Sequence, residues 1–265
     1  MKNPTSTIIG NGRLGGALSR ALNEAGYKVM EVYDKGESIK NLGDWIFIAT
    51  PDSEISKVVS DLTFKFKNLD GKNIFHSSGT ISYSILEELQ KLGAETACFH
   101  PLQAITNKTD SFKGIYFDLE GDEEAVSTLE RLAENLGAKS IRVTPKEKEL
   151  LHISAVMASN YLVTLADMAI QVSGASGIPQ RTLVDALLPL MESSLKNLTE
   201  LTPSEALTGP ISRGDVQTIQ KHIKLLENED DLLVLYKKLG LQTLELIGKD
   251  LKDNTIKFRL YDVLK

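Results

Sequence analysis

Cysteine is almost absent from this chain of 265 residues, which contains Cys98 alone. A single thiol cannot form an internal disulfide, a CxxC redox pair or a thiolate metal site. The scarcity of cysteine fits a reducing compartment, and residues 1–7 lack the apolar run of a signal peptide. We therefore expect a cytoplasmic protein.

Basic charge is also scarce in this sequence. Lysine and arginine total 30 against 36 aspartates and glutamates, so the formal net charge is −6. Such a chain lacks the positive field that nucleic acids and anionic membranes require, and we expect neither as a partner. Hydrophobic residues make up 42% and charged residues 25%, the proportions of a soluble globular protein with a sizeable core.

Long uninterrupted apolar runs and metal-binding motifs are missing as well. The most apolar stretch, residues 153–170, is interrupted by polar side chains at Ser154, Ser159, Asn160, Thr164 and Asp167. We interpret it as a helix buried on most sides within a soluble domain and not as a membrane span. The sequence has no HExxH, no paired His and carboxylate spacing and no P-loop lysine motif. We therefore expect no metal site and no phosphoryl transfer.

Strand-like and helical patterns alternate between residues 5 and 143. This rhythm is typical of repeated βαβ units and predicts an α/β fold with a mostly parallel, Rossmann-like sheet. The predicted strands are 7–9, 28–33, 45–49, 73–75, 95–99, 115–118 and 140–143. Between the first two strands, apolar residues recur at helical spacing from Leu14 to Ala25 and stop at Gly26.

No strand pattern appears after residue 143, and helical periods continue along the rest of the chain. A capping box at residues 144–147, with Pro145 at the first helical position, predicts the start of a long helix that ends near Val172. We therefore predict an all-α C-terminal domain. The two predicted domains are residues 1–144 and 145–265.

The motif most typical of a cofactor site is a GxGxxG string after the first predicted strand. It reads Gly10-Asn11-Gly12-Arg13-Leu14-Gly15 and opens the first amphipathic helix. The glycines permit a tight turn, close approach of a pyrophosphate and close packing of the helix on the strand. The start of the helix offers unpaired N–H groups to phosphates. We predict that these six residues bind NAD or NADP; the alternative is a glycine-rich turn without a ligand.

The second strand leads to Asp34, near the ~20-residue spacing expected for the acid that binds a cofactor ribose. A carboxylate there favours NAD, whereas the adjacent Lys35 could pair with the extra phosphate of NADP. Both residues are candidates for cofactor binding, and the choice between the two cofactors stays open. The alternative is that they belong to a solvated turn with Gly36.

Three polar segments follow predicted strands, at the sheet edge where ligands of open parallel sheets bind. Thr50 and Pro51 follow the third strand, His76 and Ser77 the fourth, and His100 the fifth. We predict that Thr50, Pro51 and His76 line the cofactor site and that Ser77 contacts a substrate. A histidine at this edge could also donate a proton as hydride arrives. The alternative is that each histidine caps a strand end by bonding nearby carbonyls.

The predicted helical domain adds further candidates. His152 and Asn160 are eight residues apart, on one side of the long helix, so one ligand could meet both. Ser212 and Arg213 lie between two later helices, and Arg213 could hold a substrate carboxylate with two parallel hydrogen bonds. The alternatives are contacts with neighbouring helices for His152, and an ion pair between Arg213 and Asp215, with Asp215 also capping the following helix.

In order and spacing, these motifs resemble one family of bacterial proteins. The motifs are Gly10-Asn11-Gly12-Arg13-Leu14-Gly15, His76-Ser77-Ser78-Gly79, His100-Pro101-Leu102-Gln103, the helix from His152 to Asn160, and Thr208-Gly209-Pro210-Ile211-Ser212-Arg213-Gly214-Asp215. The family joins a Rossmann-like NAD(P)-binding domain to a helical domain of formerly unknown function. Its relatives are ketopantoate reductase, pyrroline-5-carboxylate reductase and the β-hydroxyacid dehydrogenases. The resemblance implies a helical domain like that of 6-phosphogluconate dehydrogenase, a homodimer formed through it, and an active site in the cleft between the domains.

One position departs from the wider superfamily. β-Hydroxyacid dehydrogenases have a lysine one helical turn before the asparagine that matches Asn160, and here Val156 stands there. The resemblance then leaves His100 and His152 as candidate proton donors, with Asn160 holding the reacting oxygen. It implies an NAD(P)-dependent oxidoreductase acting on CH–OH or CH–NH groups, which passes hydride to a small 2-oxo acid such as ketopantoate. The alternatives are an imine reductase of the pyrroline-5-carboxylate type and a dinucleotide sensor without catalysis.

Overall fold

The computed structural model describes residues 3–174, 176–248, 251 and 253–265. The chain groups into two compact units, Met1–Asn160 and Tyr161–Lys265, which we call the first and second units. The last strand ends at Arg142 and a helix begins at Pro145, as the capping box predicts. The predicted boundary at residue 144 therefore marks the change from strands to helices, and the compact units divide later, after Asn160.

The first unit is a seven-stranded sheet with helices between the strands. In chain order its elements are β1 (Thr5–Ile9), α1 (Arg13–Glu24), β2 (Lys28–Tyr33), β3 (Trp45–Ile48), α2 (Asp52–Lys65), β4 (Asn73–His76), a 3-10 turn (Tyr83–Leu86), α3 (Glu87–Gln90), β5 (Glu95–Pro101), β6 (Tyr116–Gly121), α4 (Glu123–Asn135), β7 (Lys139–Arg142) and α5 (Pro145–Ala158). The strand order is β2-β1-β3-β4-β5-β6-β7, and every pairing is parallel except that of β5 with β6. The predicted mostly parallel, Rossmann-like sheet is confirmed.

Two strands near the sheet's antiparallel pair differ from the prediction. The predicted strand 115–118 is observed as β6 over Tyr116–Gly121, and the predicted strand 95–99 extends as β5 to Pro101. The reason is the antiparallel ladder, which pairs Pro101 with Phe117 and His100 with Asp118. His100 therefore lies within a strand, and the prediction that it follows one is wrong.

The sheet is covered on both faces because its central strands alternate between two apolar clusters. Phe47 of β3 packs with residues of α1 and α4, among them Leu18 and Leu129. Its neighbours Ile46 and Ile48 point to the opposite face, into the cluster that includes the buried residues of α2. Burial on both faces is typical of parallel sheets flanked by helices.

The second unit is all-α in the residues described, as predicted. Its helices are α6 (Asn160–Gly174), which begins at the unit boundary, α7 (Gln180–Asn197), α8 (Pro203–Ala206), α9 (Val216–Leu225), α10 (Asp230–Leu246) and α11 (Asn254–Leu264). A small core forms where α9, α10 and α11 meet, around the fully or nearly buried Ile219, Leu244, Leu260 and Leu264. The predicted single helix from residue 145 to about 172 is wrong, because α5 ends at Ala158 and α6 begins at Asn160.

The apolar stretch that spans α5 and α6 is exposed in the single chain. Met157, Tyr161 and Val163 expose 61%, 60% and 70% of their surface, and α6 has no buried residue. The prediction of a helix buried on most sides is therefore wrong for the isolated chain. By length and composition alone, the stretch Pro145–Gly174 is also apolar enough to cross a membrane. An apolar pattern indicates that a surface is covered but does not identify what covers it.

Candidate active site

A cavity of about 390 Å³ opens in the first unit at the carboxyl ends of β1, β2 and β3. Seven of the predicted cofactor residues line it, namely Gly10, Asn11, Gly12, Asp34, Lys35, Thr50 and Pro51. Two further residues of the glycine string do not line the cavity. Arg13 begins α1 and is exposed, and Leu14 packs against the core. The structure thus brings most of the predicted cofactor residues to one cavity.

The glycine string has the geometry of a phosphate cradle. Gly10 has a φ of +106°, and a Cβ atom there would lie 2.7 Å from the carbonyl oxygen of Ala49. A Cβ atom on Gly15 would overlap the carbonyl oxygen of Gly10, so glycine is what lets α1 pack on the turn. At Gly12 a Cβ atom would meet nothing within 4 Å. Gly12 caps α1 without a side-chain hydrogen bond, which leaves the helix N–H groups for an anion.

Charged side chains from the turn after β2 and from α2 also line the cavity. The carboxylates there are Asp34, Glu37, Glu54 and Asp61, and the lysines are Lys35 and Lys57. Asp34 accepts a hydrogen bond from the Lys35 N–H (2.7 Å), and Glu37 accepts one from the Asp34 N–H (2.7 Å). The Lys35 ammonium lies 3.3 Å from Glu54 and is largely exposed. The turn after β2 is therefore solvated, and its carboxylates also line the cavity. Solvation of the turn and cofactor binding by Asp34 do not exclude each other.

Two buried hydroxyl groups at the carboxyl ends of β3 and β4 have no hydrogen-bond partner among the described residues. They are Thr50 Oγ1 and Ser77 Oγ, which follow β3 and β4. The Ser77 N–H donates to the Ile48 carbonyl (3.1 Å), which fixes Ser77 beside the end of β3. Because buried hydroxyls normally have partners, these two are suited to binding a ligand.

His76 is fully buried at the end of β4. Its Nδ1 atom accepts a hydrogen bond from the Ser78 N–H (3.2 Å), a local contact like the strand-capping alternative but with an amide in place of a carbonyl. Burial, with the nearby Lys148 charge as the second cause, lowers the pKa of His76 to about 3. The imidazole is therefore neutral at neutral pH. Its predicted role in the cofactor site stays a prediction.

We expect His76 to make the protein less stable in acid. Because its pKa is about 3 when folded and 6.5 when unfolded, only the unfolded chain binds a proton between these pH values. The folded state should lose about 2.5 kcal/mol at pH 4.5 relative to pH 7 from this group. In urea unfolding, His76→Asn, which still accepts the Ser78 N–H bond, should lose that much less stability between the two pH values. Equal losses in both proteins would contradict this assignment.

The two remaining candidate histidines of the first unit lie together. The His100 Nδ1 atom is 2.6 Å from Asp118 Oδ2, across the antiparallel pair of β5 and β6. The imidazole rings of His100 and His152 have centroids 6.0 Å apart. A Cβ atom on Gly79 would lie 2.8 Å from His100 Nε2 and 2.5 Å from His152 Nδ1, so glycine allows both rings to approach. With Nδ1 bound to Asp118, Nε2 is the atom of His100 that remains for a substrate.

Asn160 is placed differently from the prediction, whereas the loop residues Ser212 and Arg213 lie between two helices as predicted. Because the helix is interrupted at Ser159, Asn160 begins α6 and does not share a helix with His152, which corrects the predicted spacing. In the second unit, Ser212 Oγ donates to the Gly209 carbonyl (2.9 Å), and Arg213 is exposed. Asp215 caps α9 by accepting from the Thr218 N–H (3.0 Å), as the capping alternative proposed. Hydrogen bonds from Thr218 lower the pKa of Asp215, and the Arg213 charge contributes less.

Sequence reasoning missed a buried ionic cluster behind His100. Lys148 of α5 is 1% exposed, and its Nζ atom contacts Cys98 Sγ. It also lies 3.8 Å from Asp118 Oδ1 and 3.7 Å from Glu120 Oε2. One signal was available, because Lys148 stands four residues before His152 and therefore on the same helix face. In the described residues, no group of three or more His, Cys, Asp or Glu side chains could hold a metal ion.

These features define a class of protein: a Rossmann-like α/β sheet with a glycine cradle at its edge, followed by a helical unit. Residues 115–243 match the family described as "Domain of unknown function (DUF2520)". Together with the solved structures below, this match confirms the predicted resemblance to the two-domain family. No curated protein matches the sequence.

Three solved structures show how widely the fold is shared. A protein described as an NADP oxidoreductase from Bacteroides fragilis is 22% identical, with 91% of this chain and 98% of that one covered and a TM-score of 0.75. A Thermotoga maritima protein is 25% identical, with 92% and 99% covered and a TM-score of 0.73. The pyrroline carboxylate reductase of Plasmodium falciparum, with NADP bound, is 12% identical, with both chains fully covered and a TM-score of 0.61.

Proposed function

We propose that this chain is an NAD(P)-dependent reductase that acts on a C=O or C=N bond of a small molecule. The observation that carries the proposal is the cradle formed by Gly10, Gly12 and Gly15 at the uncapped start of α1, which opens into a cavity of about 390 Å³. These residues fit a pyrophosphate, and Thr50 and Pro51 line the same cavity. When bound, the nicotinamide would supply the hydride.

The choice of cofactor depends on the charged end of the cavity. Asp34 and Glu37 are carboxylates that can bind the ribose hydroxyls of NAD. Lys35, which would pair with the extra phosphate of NADP, lies against Glu54. These contacts favour NAD, whereas the relatives described with NADP favour NADP. We therefore propose NAD or NADP as the cofactor. The affinity of the protein for each of the two distinguishes them.

The proposed substrate is a small carboxylate, in the first place a 2-oxo acid such as ketopantoate. His100 or His152 would supply the proton, and Asn160 would hold the reacting oxygen. Ser77 has a buried hydroxyl without a partner among the described residues, which suits it to substrate contact. In the second unit, Ser212 and Arg213 are the proposed carboxylate contacts; the Arg213 side chain is exposed, while Asp215 is hydrogen bonded to Thr218.

A second candidate function is reduction of a cyclic imine. The observation that favours it is the similar fold of a pyrroline carboxylate reductase. The same histidines would then protonate a nitrogen in place of an oxygen. Turnover of pyrroline-5-carboxylate and of ketopantoate, each with both reduced cofactors, separates the two functions. Cofactor binding without turnover of any of these substrates would indicate a dinucleotide sensor.

Gly12→Ala tests cofactor binding apart from catalysis. We expect it to weaken NADH or NADPH binding by about tenfold or more, because the new methyl group occupies the open side of the cradle and removes about 1.4 kcal/mol or more of affinity. Gly12 has a φ of −77°, so alanine fits the backbone and the midpoint of thermal unfolding should change little. Calorimetric titration measures the affinities. Gly16→Ala is the matched control, and failure of the unaltered protein to bind either cofactor would contradict the proposed function.

We also propose a homodimer formed through the helical part of the chain. Its support is the exposed apolar residues of α6 and α7 in the second unit, which include Tyr161, Val163 and Leu190. Patches of this kind on soluble proteins mark interaction sites. A membrane span is the weaker explanation, because α5 carries the buried Lys148 into the ionic cluster of the first unit. Light scattering that finds only monomers would contradict the dimer.

The single, buried Cys98 fits the proposed cytoplasmic location.

A further inference from the structure

Behind His100 lies a cluster of acidic and basic side chains that water does not reach. Asp118, Glu120 and Lys148 are 2%, 4% and 1% exposed. One oxygen of each carboxylate has a hydrogen bond: Asp118 Oδ2 with His100 Nδ1 (2.6 Å), and Glu120 Oε1 with the Ser82 hydroxyl (2.5 Å). The remaining oxygens, Asp118 Oδ1 and Glu120 Oε2, have no hydrogen bond in the described residues. Both face the Lys148 ammonium, at 3.8 and 3.7 Å.

This arrangement leaves the cluster with an unbalanced charge. Two carboxylates face one ammonium group, so the three side chains sum to −1. The sum becomes zero when His100 carries a proton on both ring nitrogens. Because an uncompensated charge is costly inside a protein, the cluster favours the protonated imidazole. Glu120 supplies the excess negative charge without touching His100. The positive charge of Lys148 reduces the net negative charge near His100.

The other titratable groups facing His100 do not alter this balance at neutral pH. Cys98 lies two residues away on β5, and burial raises the pKa of its thiol to about 12. His76 of β4 has a pKa lowered to about 3, chiefly by burial. Both are therefore uncharged. His152 of α5 is the remaining group, with its ring 6.0 Å from that of His100.

We propose that Lys148 and Glu120 are positioning residues that set the charge around His100: Glu120 favours the proton that His100 donates, and Lys148 limits that preference. Lys148 acts from α5 through Asp118, and Glu120 acts from β6 through Lys148. The proposal rests on the proposed reductase function for the use of the proton. The charge coupling itself is a property of the free protein and needs no cofactor.

Opposite substitutions of the two residues test the coupling. The titration of His100 is followed by nitrogen-15 NMR of the imidazole in the unaltered protein, Glu120→Gln, Lys148→Met and the double variant. Glu120→Gln removes a negative charge and should move the midpoint of the titration down by about one pH unit. Lys148→Met removes a positive charge and should move the midpoint up by about as much. In the double variant the charge is again −1, and the midpoint should return close to the original value.

A merely structural role predicts a different result. It would leave the midpoint unchanged in every variant that folds, and that outcome overturns the proposal. If Lys148→Met does not fold, Glu120→Gln and the double variant still carry the test. The midpoint should shift in Glu120→Gln and should stay close to the original value in the double variant. The pH profile of kcat should follow the same shifts. Failure of the reductase proposal would show as absent turnover with the NMR shifts intact, so the two failures are distinguishable.

Discussion

Gly15→Ala should lower the free energy of unfolding by about 3 kcal/mol, the upper end of what overpacking costs. The new Cβ atom would overlap the Gly10 carbonyl oxygen and would lie 3.2 Å from Ile8 Cγ2. Relief requires α1 to move away from β1, although Leu18 and Leu22 of that helix are 1% and 0% exposed. The Gly10 backbone and the buried side chains of α1 therefore both oppose the movement that alanine would require. Urea unfolding followed by circular dichroism measures the loss.

Gly16→Ala is the control for this prediction. The neighbouring position lies in the same helix, but a Cβ atom there meets only Arg20 Nη1, at 3.4 Å and at the end of a flexible side chain. Alanine should stabilise the helix interior by about 0.5–1 kcal/mol relative to glycine. The two variants thus differ by a single position and should change stability in opposite directions. Equal stability in both would show that the close approach of helix and turn is not tight.

The parts of the fold that follow local rules could be predicted from the sequence. The glycine string, the amphipathic α1 and the capping box at Thr144 each depend on residues within one helix or turn, and each lies where predicted. Strand direction depends on pairing between distant segments. The antiparallel β6 and the extension of β5 to Pro101 arise from a ladder that no local pattern records. The same ladder places Asp118 against His100, so the partner of that histidine could not be predicted.

The candidate site divides in the same way. The residues of the cofactor cavity follow strands in the sequence, and the rule for parallel sheets is enough to bring them together. Lys148 reaches Cys98 across 50 residues of sequence, through the packing of α5 on the sheet. Charged residues are rarely buried, so composition argues against such a cluster until the structure shows its partners. The exposed surface of α6 differs again, because an apolar pattern alone does not distinguish a buried helix from an exposed one.

His100→Asn should lower kcat by about 100-fold to 10,000-fold, the contribution of a positioned proton donor. Asparagine can still donate a hydrogen bond to Asp118, which holds His100 at 2.6 Å, but it carries no proton to transfer. Binding of NADH or NADPH should stay within about twofold, a difference of only about 0.4 kcal/mol, because His100 does not line the cofactor cavity. Steady-state turnover of the best substrate and calorimetric titration measure the two effects separately.

His152→Asn decides which histidine donates the proton. Among the described residues, His152 has no carboxylate partner like Asp118 and no hydrogen bond at its buried Nδ1 atom. A ring that is not oriented by a second group is a poorer general acid, so this variant should lose less than tenfold in kcat, about 1.4 kcal/mol. The reverse order of losses would assign the proton to His152. Because the two rings are only 6.0 Å apart, the double variant should lose no more than His100→Asn alone if one histidine donates the proton.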